Sequence, residues 1–175
     1  GSVWWSPRPG AYPSTWAQLT AGQLWLGSSS VGQVSLVYAS TGDMSARVGV
    51  GQAPADLAVT QSGGDALVVD RSTGSVTRVD GASERALPGP VRPLPDAARG
   101  LSVFAGPGVA YAVDTAKGAV VTLDPDSMRF RGQAMSFAVS ADPTAGVTVD
   151  PSGRLWALDT RTGDLLRLTG TVQRT

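Results

Sequence analysis

The sequence predicts an all-β fold of about four similar antiparallel sheets, and two regularities carry that prediction. Successive glycines at one turn position are 42, 44 and 45 residues apart. A period of roughly 40–45 residues is typical of β-propeller blades, each of them a four-stranded sheet. In every repeat a polar anchor precedes the glycine by four positions: Ser28 and Gly32, Asp70 and Gly74, Asp114 and Gly118, Asp159 and Gly163.

The strands are predicted from short apolar runs that end in turn-forming residues. The stretch 67–80, LVVDRSTGSVTRVD, shows the plan: one run, a tight turn, and a second run in apolar–polar alternation. Connections this short cannot make parallel crossovers, so the sheets must be antiparallel meanders. Four amphipathic helices are excluded because Gly, Pro, Ser and Asp interrupt every window of about ten residues.

Two columns of residues before the anchors share one face of each predicted sheet, because residues two apart point the same way, and a third column stands two residues after each glycine. We expect this face to be buried between neighbouring sheets. The columns are Trp25, Leu67, Tyr111 and Trp156; Gly27, Val69, Val113 and Leu158; and Val34, Val76, Val120 and Leu165.

The chain divides into a Trp/Pro-rich segment, 1–21, and repeats at about 22–62, 63–107, 108–152 and 153–175. Two interpretations of the first segment stay open: an exposed aromatic docking segment, or a strand and hydrophobic seal for a terminal blade. The fourth repeat is predicted to end before its outer strand. The aromatic residues of the first segment that could contact a partner are Trp4, Trp5, Tyr12 and Trp16.

Four blades are fewer than most propellers contain, so an open end would expose an apolar face. The favoured explanation is that the blades are part of a larger ring, completed by a longer parent chain. Two alternatives are a ring closed by a second copy, and a four-blade ring closed by the N-terminal segment.

Composition excludes several kinds of chemistry. With 14 basic and 14 acidic residues the net charge is zero, which argues against nucleic acid as a partner. The absence of Cys and His removes thiolates, imidazole bases and Cys/His metal sites, so no catalytic residue, metal or cofactor is expected and the chain is predicted not to be an enzyme. No run of about 18 apolar residues predicts a membrane span in this segment.

The anchors are interpreted as structural turn residues. Glycine reaches positive φ without penalty, and Asp or Ser accepts hydrogen bonds from turn amides. The rival interpretation is that Asp70, Asp114 and Asp159 converge on a cation, although Arg71, Lys117 and Arg161 in the same turns oppose one. Asp80, Asp124 and Asp126 could form an acid–base couple, but DPDS at 124–127 is better explained as a turn.

The repeats resemble the YVTN-type β-propeller family, related to NHL and quinoprotein propellers, over about 22–170. The match is most specific in the first repeat. There the pattern positions are Val34, Val37, Thr41, Gly42, Val50, Gly51, Pro54, Leu57, Ala58 and Val59.

The chain departs from the family pattern in three places. Tyr38 stands where the family usually has Asp, and GASER at 81–85 replaces the glycine turn after Asp80. LDTRTGDLLRL at 158–168 is similar to the quinoprotein motif but lacks the tryptophan that follows it, so no quinone is expected.

The resemblance implies a propeller fold and an extracytoplasmic or cell-surface binding role, and the residue usage is that of a high-GC bacterium. We therefore expect a non-catalytic binding or scaffold domain that contacts a protein or other macromolecule at its loops or blade ends. The alternatives are a propeller enzyme (a lyase, a lactonase or a quinoprotein-like enzyme) and a purely structural subunit. The lyases that resemble this family rely on histidine, which is absent here.

Overall fold

The computed structural model describes residues 14–18, 23–38, 41, 44–52, 55–142, 146–168 and 172–175. These residues form β-strands and no helix, and the strands assemble into four antiparallel sheets of four strands each. The predicted all-β class with about four antiparallel repeats is confirmed. The chain forms two compact units, one with sheet 1 and nearly all of sheet 2, the other with sheets 3 and 4.

Within each sheet of the first unit, every strand pairs with the next one along the chain. Part of the Trp/Pro-rich segment belongs to sheet 1, because its residues 14–18 pair with the second strand. Sheet 1 contains β1 (Ser14–Gln18), β2 (Gln23–Ser28), β3 (Gln33–Tyr38) and β4 (Met44–Gly49), and sheet 2 contains β5 (Leu57–Ser62), β6 (Asp65–Asp70), β7 (Ser75–Asp80) and β8 (Arg85–Ala86).

The second unit repeats this plan. Sheet 3 contains β9 (Leu101–Gly106), β10 (Val109–Asp114), β11 (Ala119–Leu123) and β12 (Met135–Ser136), and sheet 4 contains β13 (Val147–Val149), β14 (Leu155–Leu158), β15 (Leu165–Leu168) and β16 (Val172–Arg174).

Sheet 4 has the outer strand that the sequence analysis did not expect. In β16, Val172 and Arg174 pair with Leu168 and Leu166 of β15. The prediction that the fourth repeat ends before this strand is therefore wrong. Three residues suffice for the strand because the sheet needs only a short rim to cover β15.

The turn between the second and third strands of every sheet uses a left-handed glycine. Gly32, Gly74, Gly118 and Gly163 have φ angles of 64°, 75°, 75° and 77°. Each stands four residues after its polar anchor, so the spacing found in the sequence is the spacing of one turn conformation.

In sheets 2 and 3 the turn between the third and fourth strands reaches the same conformation without glycine. Glu84 has φ of 57° and stands four residues after Asp80, and Met128 has φ of 62° and stands four residues after Asp124. These two turns therefore keep a residue at positive φ although that residue is not glycine. A side chain there carries a steric cost that glycine avoids.

Burial follows the predicted columns in three sheets. Trp25 and Val34 pack with Leu57, Ala66 and Val68 in the core of the first unit. In the second unit the corresponding core joins sheets 3 and 4 and contains Tyr111, Val113, Val120, Phe137, Leu155, Ala157, Leu166 and Leu168.

The column residues of sheet 4 differ from the prediction. Leu158 and Leu165 are each 42% exposed, whereas Val113 and Val120, the corresponding residues of sheet 3, are fully buried. The physical reason is that burial of this face needs a further packing partner, and the strand pattern itself does not supply one.

We expect Gly118→Ala to destabilise the protein more than Gly163→Ala. Both glycines are left-handed, so either change adds roughly 1–2 kcal/mol of backbone strain. A Cβ at Gly118 would also lie 2.8 Å from Phe137 O and 2.8 Å from Val139 Cγ2, whereas at Gly163 it would meet nothing within 4 Å. Overpacking adds about 1–3 kcal/mol. Urea denaturation measures the free energy of unfolding of both variants. Equal losses of stability would contradict the argument that a Cβ at Gly118 lies too close to Phe137 and Val139.

We expect Met128→Gly to raise the free energy of unfolding by about 1 kcal/mol, because it removes left-handed strain at the cost of some unfolded-state entropy. The control is Ala116→Gly in the exposed turn after β10, which should lower it by about 0.5 kcal/mol. Chemical denaturation compares the two. A loss of stability in Met128→Gly would show that its φ carries no strain.

Candidate functional site

The anchor carboxylates are buried and bonded within their own turns. Asp114 Oδ1 accepts hydrogen bonds from the amides of Ala116 at 3.0 Å and Lys117 at 3.4 Å. Asp159 Oδ1 accepts from Arg161 N at 2.9 Å and Thr162 N at 3.3 Å. These carboxylates do what turn amides require.

The Asp70 carboxylate also ties its turn to the preceding connection. Its Oδ1 accepts from Ser72 N at 2.9 Å, from Ser72 Oγ at 2.5 Å and from Asp56 N at 3.3 Å. Ser29 has the corresponding role in sheet 1. Its Oγ accepts a hydrogen bond from Leu57 N, which follows the same connection, at 3.0 Å. Ser28, the predicted anchor, lies at the end of β2 beside Ser29.

The carboxylates suspected of acid–base work serve their own turns. Asp80 Oδ2 accepts from Ser83 N at 2.8 Å. Asp124 Oδ1 accepts from Asp126 N at 2.8 Å and Ser127 N at 3.0 Å. Asp126 is exposed in the turn that Asp124 stabilises. The hydrogen bonds of Asp124 are thus those of a turn, as the sequence DPDS at 124–127 predicts.

The predicted aromatic contacts cannot be placed in the structure. Trp4, Trp5 and Tyr12 lie outside the described residues. The backbone of Trp16 lies in β1, opposite Leu26 of β2.

Two ion pairs of the second unit lie at the turn that precedes β14 and in the connection that follows β11. Asp150 Oδ1 accepts from the amides of Ser152 and Arg154 at 3.0 and 2.9 Å. Asp150 Oδ2 accepts from Arg154 Nε and from Trp156 Nε1, both at 2.9 Å. Every bond uses the carboxylate as an acceptor, so the Asp150 side chain is held as an anion.

A second ion pair lies in the connection after β11. Arg131 donates to Asp124 Oδ2 at 2.8 Å and to Gly108 O at 2.9 Å. The side chains of Arg131 and Arg154 are each 46% exposed, so both guanidinium groups also reach solvent. We call Asp124, Arg131, Asp150 and Arg154 the paired-turn cluster.

The phenol of Tyr111 senses one residue of each pair, Asp150 and Arg131, and is held neutral. Burial raises the pKa of its phenol, Asp150 raises it further, and Arg131 opposes the rise. The phenol donates to the carbonyl oxygen of Gly153. A phenol with a raised pKa and an occupied proton cannot act as a general base near neutral pH.

The aromatic column shows how these buried polar groups are satisfied. Tyr111 and Trp156 find acceptors in the turn before β14, at Gly153 O and Asp150 Oδ2. Trp25 stands in the same column of sheet 1, is fully buried, and its Nε1 has no acceptor among the described residues.

The paired-turn cluster therefore offers two exposed guanidinium groups, each oriented by a carboxylate. Guanidinium groups bind carboxylate, phosphate or a developing oxyanion, and pre-orientation lowers the entropic cost. In the described part of the chain, no group of three or more acidic, His or Cys residues could hold a metal ion. No helix long and apolar enough to cross a membrane occurs there either.

Sequence reasoning named Asp124 but missed the other three residues of this cluster, because Arg131, Asp150 and Arg154 do not recur in the repeats. Asp150 and Arg154 occur once, in DPSGR, and the signal available was the turn-forming Asp-Pro pair with an Arg four residues later. Arg131 lies seven residues from Asp124, and no local pattern joins the two.

Three solved structures are similar to this chain over most of its length. Streptogramin B lyase has a TM-score of 0.65 and 14% identity, and the match covers 93% of this chain and 53% of the lyase. Virginiamycin B lyase from Staphylococcus aureus has a TM-score of 0.58 and 13% identity, with 96% and 71% covered. A putative 6-phosphogluconolactonase from Bacteroides uniformis has a TM-score of 0.68 and 17% identity, with 92% and 52% covered.

These similarities establish a propeller-type fold, with sheets 1 to 4 as its blades. The chain spans about half the length of the streptogramin B lyase and of the lactonase. No protein-family model matches the sequence, and no curated protein matches it.

The comparisons contradict the prediction that the chain is not an enzyme. Propellers similar to it over more than nine-tenths of its length include two lyases and a lactonase. The prediction treated the absence of His and of a catalytic motif as an exclusion. A fold built from repeats can place its reacting groups on blades that carry no recognisable motif.

We expect the stability of the fold to decrease at acid pH because of the paired-turn cluster. Bonds from Trp156 and Ser152 hold the pKa of Asp150 well below its ordinary value, and Ser127 N and Arg131 lower the pKa of Asp124. A carboxyl whose pKa is lower in the folded state stabilises it above the unfolded pKa of about 3.9 and loses that contribution as pH falls.

The melting temperature, followed from pH 6 to about pH 2, should therefore fall less steeply in Asp124→Asn plus Asp150→Asn than in the wild type. Two copies of the same charge change at exposed positions, Asp96→Asn plus Asp126→Asn, give the control. Identical acid slopes in the wild type and the cluster variant would show that the cluster has no part in acid unfolding.

Proposed function

We propose that this chain supplies blades of a propeller enzyme of the lyase or lactonase class, acting on a cyclic ester. The observation that carries the proposal is the fold shared over 92–96% of the chain with two lyases and a lactonase. Because the chain spans about half the length of two of them, the complete site would also use blades beyond these four.

The chemistry available to the chain limits its part in such a reaction. Without His or Cys, this chain has no imidazole base and no thiolate nucleophile of its own, so the contribution that its described geometry supports is electrostatic. When an ester carbonyl is attacked, negative charge develops on its oxygen, and donors fixed near that oxygen lower the barrier. Arg131 and Arg154 are the candidates because their partners already orient them.

The carboxylates of the cluster would be positioning groups. Asp124 and Asp150 are engaged by their own turns as well as by an arginine, so each fixes a guanidinium while remaining ionised. Their lowered pKa values make them poor proton donors near neutral pH. The proposal therefore assigns oxyanion binding to the arginines and proton transfer to solvent or to other blades.

A second candidate function is macromolecular binding by an extracytoplasmic propeller related to the YVTN type. It is supported by the repeat pattern of 34–59 and by the exposed leucines of sheet 4. Binding and catalysis are compatible in one propeller, since they would use different surfaces.

The test is turnover of a panel of lactones, including a phosphorylated sugar lactone, by the complete propeller that contains these four blades, followed by acid release at constant pH. We expect hydrolysis or elimination above the buffer rate. Arg131→Gln and Arg154→Gln should each lower kcat/KM by roughly 100- to 1,000-fold, as removal of an oxyanion donor does.

Arg85→Gln is the matched control, because Arg85 is an exposed arginine in β8, outside the cluster. Its activity should equal that of the wild type. A folded protein that neither binds nor turns over any lactone would refute the enzyme proposal, and equal losses in all three variants would refute the role of the cluster.

A further inference from the structure

The outer strand of sheet 1 carries backbone groups that no other strand of the sheet uses. β4 pairs with β3 in a regular antiparallel register from Ala46 to Gly49. Just beyond, Val50 N donates to Gly32 O at 2.9 Å. Because bonded and non-bonded pairs alternate along such a ladder, Gly49 and Arg47 lie in non-bonded pairs. Their N–H and C=O groups therefore point away from β3, along the free edge of the sheet.

A further blade would not occupy this edge. Sheets pack on one another through their faces, as sheet 1 does on sheet 2 through Trp25 and Val34. β4 comes last in the strand order of its sheet, so its free edge lies at the outer side of the sheet and not on a face. Outward N–H and C=O groups at every second residue are matched by the backbone of another extended strand.

The face of β4 that carries Arg47 and Gly49 indicates which side chains such a strand would have. Arg47 is exposed, its Nε lies 2.8 Å from Met44 Sδ, and no carboxylate of the described residues pairs with it. Gly49 is exposed, and a Cβ there would meet nothing within 4 Å. Across a ladder, a carboxylate stabilises a cation, and an aromatic side chain covers an edge glycine. The edge therefore fits a strand with an acidic and an aromatic residue.

A second copy of β4 fits the edge less well than such a peptide. The antiparallel register that uses both outward residues places Arg47 of each copy opposite Gly49 of the other. The two guanidinium groups would then be diagonal neighbours on one face, where like charges repel. An acidic peptide makes the same charge attractive, so charge complementarity favours a foreign strand over self-association.

We propose that sheet 1 binds an extended acidic peptide of a partner protein as a fifth, antiparallel strand along β4. An aromatic residue of the peptide lies opposite Gly49, and an Asp or Glu two positions later lies opposite Arg47. This surface is distinct from the paired-turn cluster, and the proposal does not depend on whether the chain is an enzyme.

Fluorescence anisotropy with two labelled peptides tests the charge rule. The first has about eight residues of alternating Thr and Val, with Phe and, two residues later, Glu placed at its centre. The second has Lys instead of Glu and should bind roughly 3- to 10-fold more weakly. Arg47→Glu should reverse this preference. Arg85→Glu, the same change in the outer strand β8 of sheet 2, is the matched control and should leave it unchanged.

Hydrogen exchange gives a readout that does not depend on charge. The amides of Arg47 and Gly49 should exchange fast in the free protein and slowly with the Glu peptide bound. The amide of Val48, which points towards β3, should be protected in both states. Gly49→Pro removes an outward N–H without removing a ladder bond, so it should keep the thermal unfolding cooperative and weaken peptide binding at least about 10-fold.

Three results would overturn the proposal. The first is that the wild type binds neither peptide or binds both equally well. The second is that Gly49→Pro, still folded, binds the Glu peptide as tightly as the wild type. The third is slow exchange of the Arg47 and Gly49 amides without peptide. In a monomer, slow exchange would mean that a segment of the same chain covers the edge, and in a concentration-dependent oligomer that a second copy does.

Discussion

The hydrogen bonds between an aspartate and the amides that follow it are the interaction on which the rest of this fold depends. Asp114 and Asp159 accept from amides two and three residues further on, and a left-handed glycine closes each turn. The carboxylate accepts hydrogen bonds from turn amides that have no partner in a neighbouring strand and would otherwise bond to water. The two central strands of a sheet are thereby held in register, so their apolar columns point to one side.

The close approach of backbone at these turns explains why most of the anchors pair with glycine. A Cβ at Gly74 would overlap the carbonyl oxygen of Ala97, and at Gly118 it would press on Phe137 O. The turn thus packs against the connection that leads into or out of its sheet. Where the chain is farther away, as at Gly163, glycine is required by φ alone.

Much of the fold is predictable from the sequence because its signals are periodic. The anchors, the glycines and the buried columns recur, so a single repeat can be checked against three others. The positive φ angles of Glu84 and Met128 could not be predicted in this way, since a left-handed residue that is not glycine leaves no compositional signal. The outer strand β16 was missed because three residues are too few to show alternation.

The candidate site was not predictable in the same way. Asp150, Arg154 and Arg131 are single occurrences whose meaning comes from which turns the fold brings near Tyr111. The exposure of Leu158 likewise has no local signature, because the residue obeys the column and only its surroundings differ. Enzymatic potential could not be judged from missing motifs, since repeats encode architecture and leave chemistry to individual side chains.

The length of the outer strands has a consequence for how this chain resists aggregation. β8 and β12 have two residues each, and Pro88 and Pro90 follow β8, so the outer strands of sheets 2 and 3 are too short to template an added strand over much of their length. β4 is six residues long, and Met44 at its start is 48% exposed. β4 is thus the longest of the four outer strands, and among them it is the edge at which an extended peptide could best add as a fifth strand.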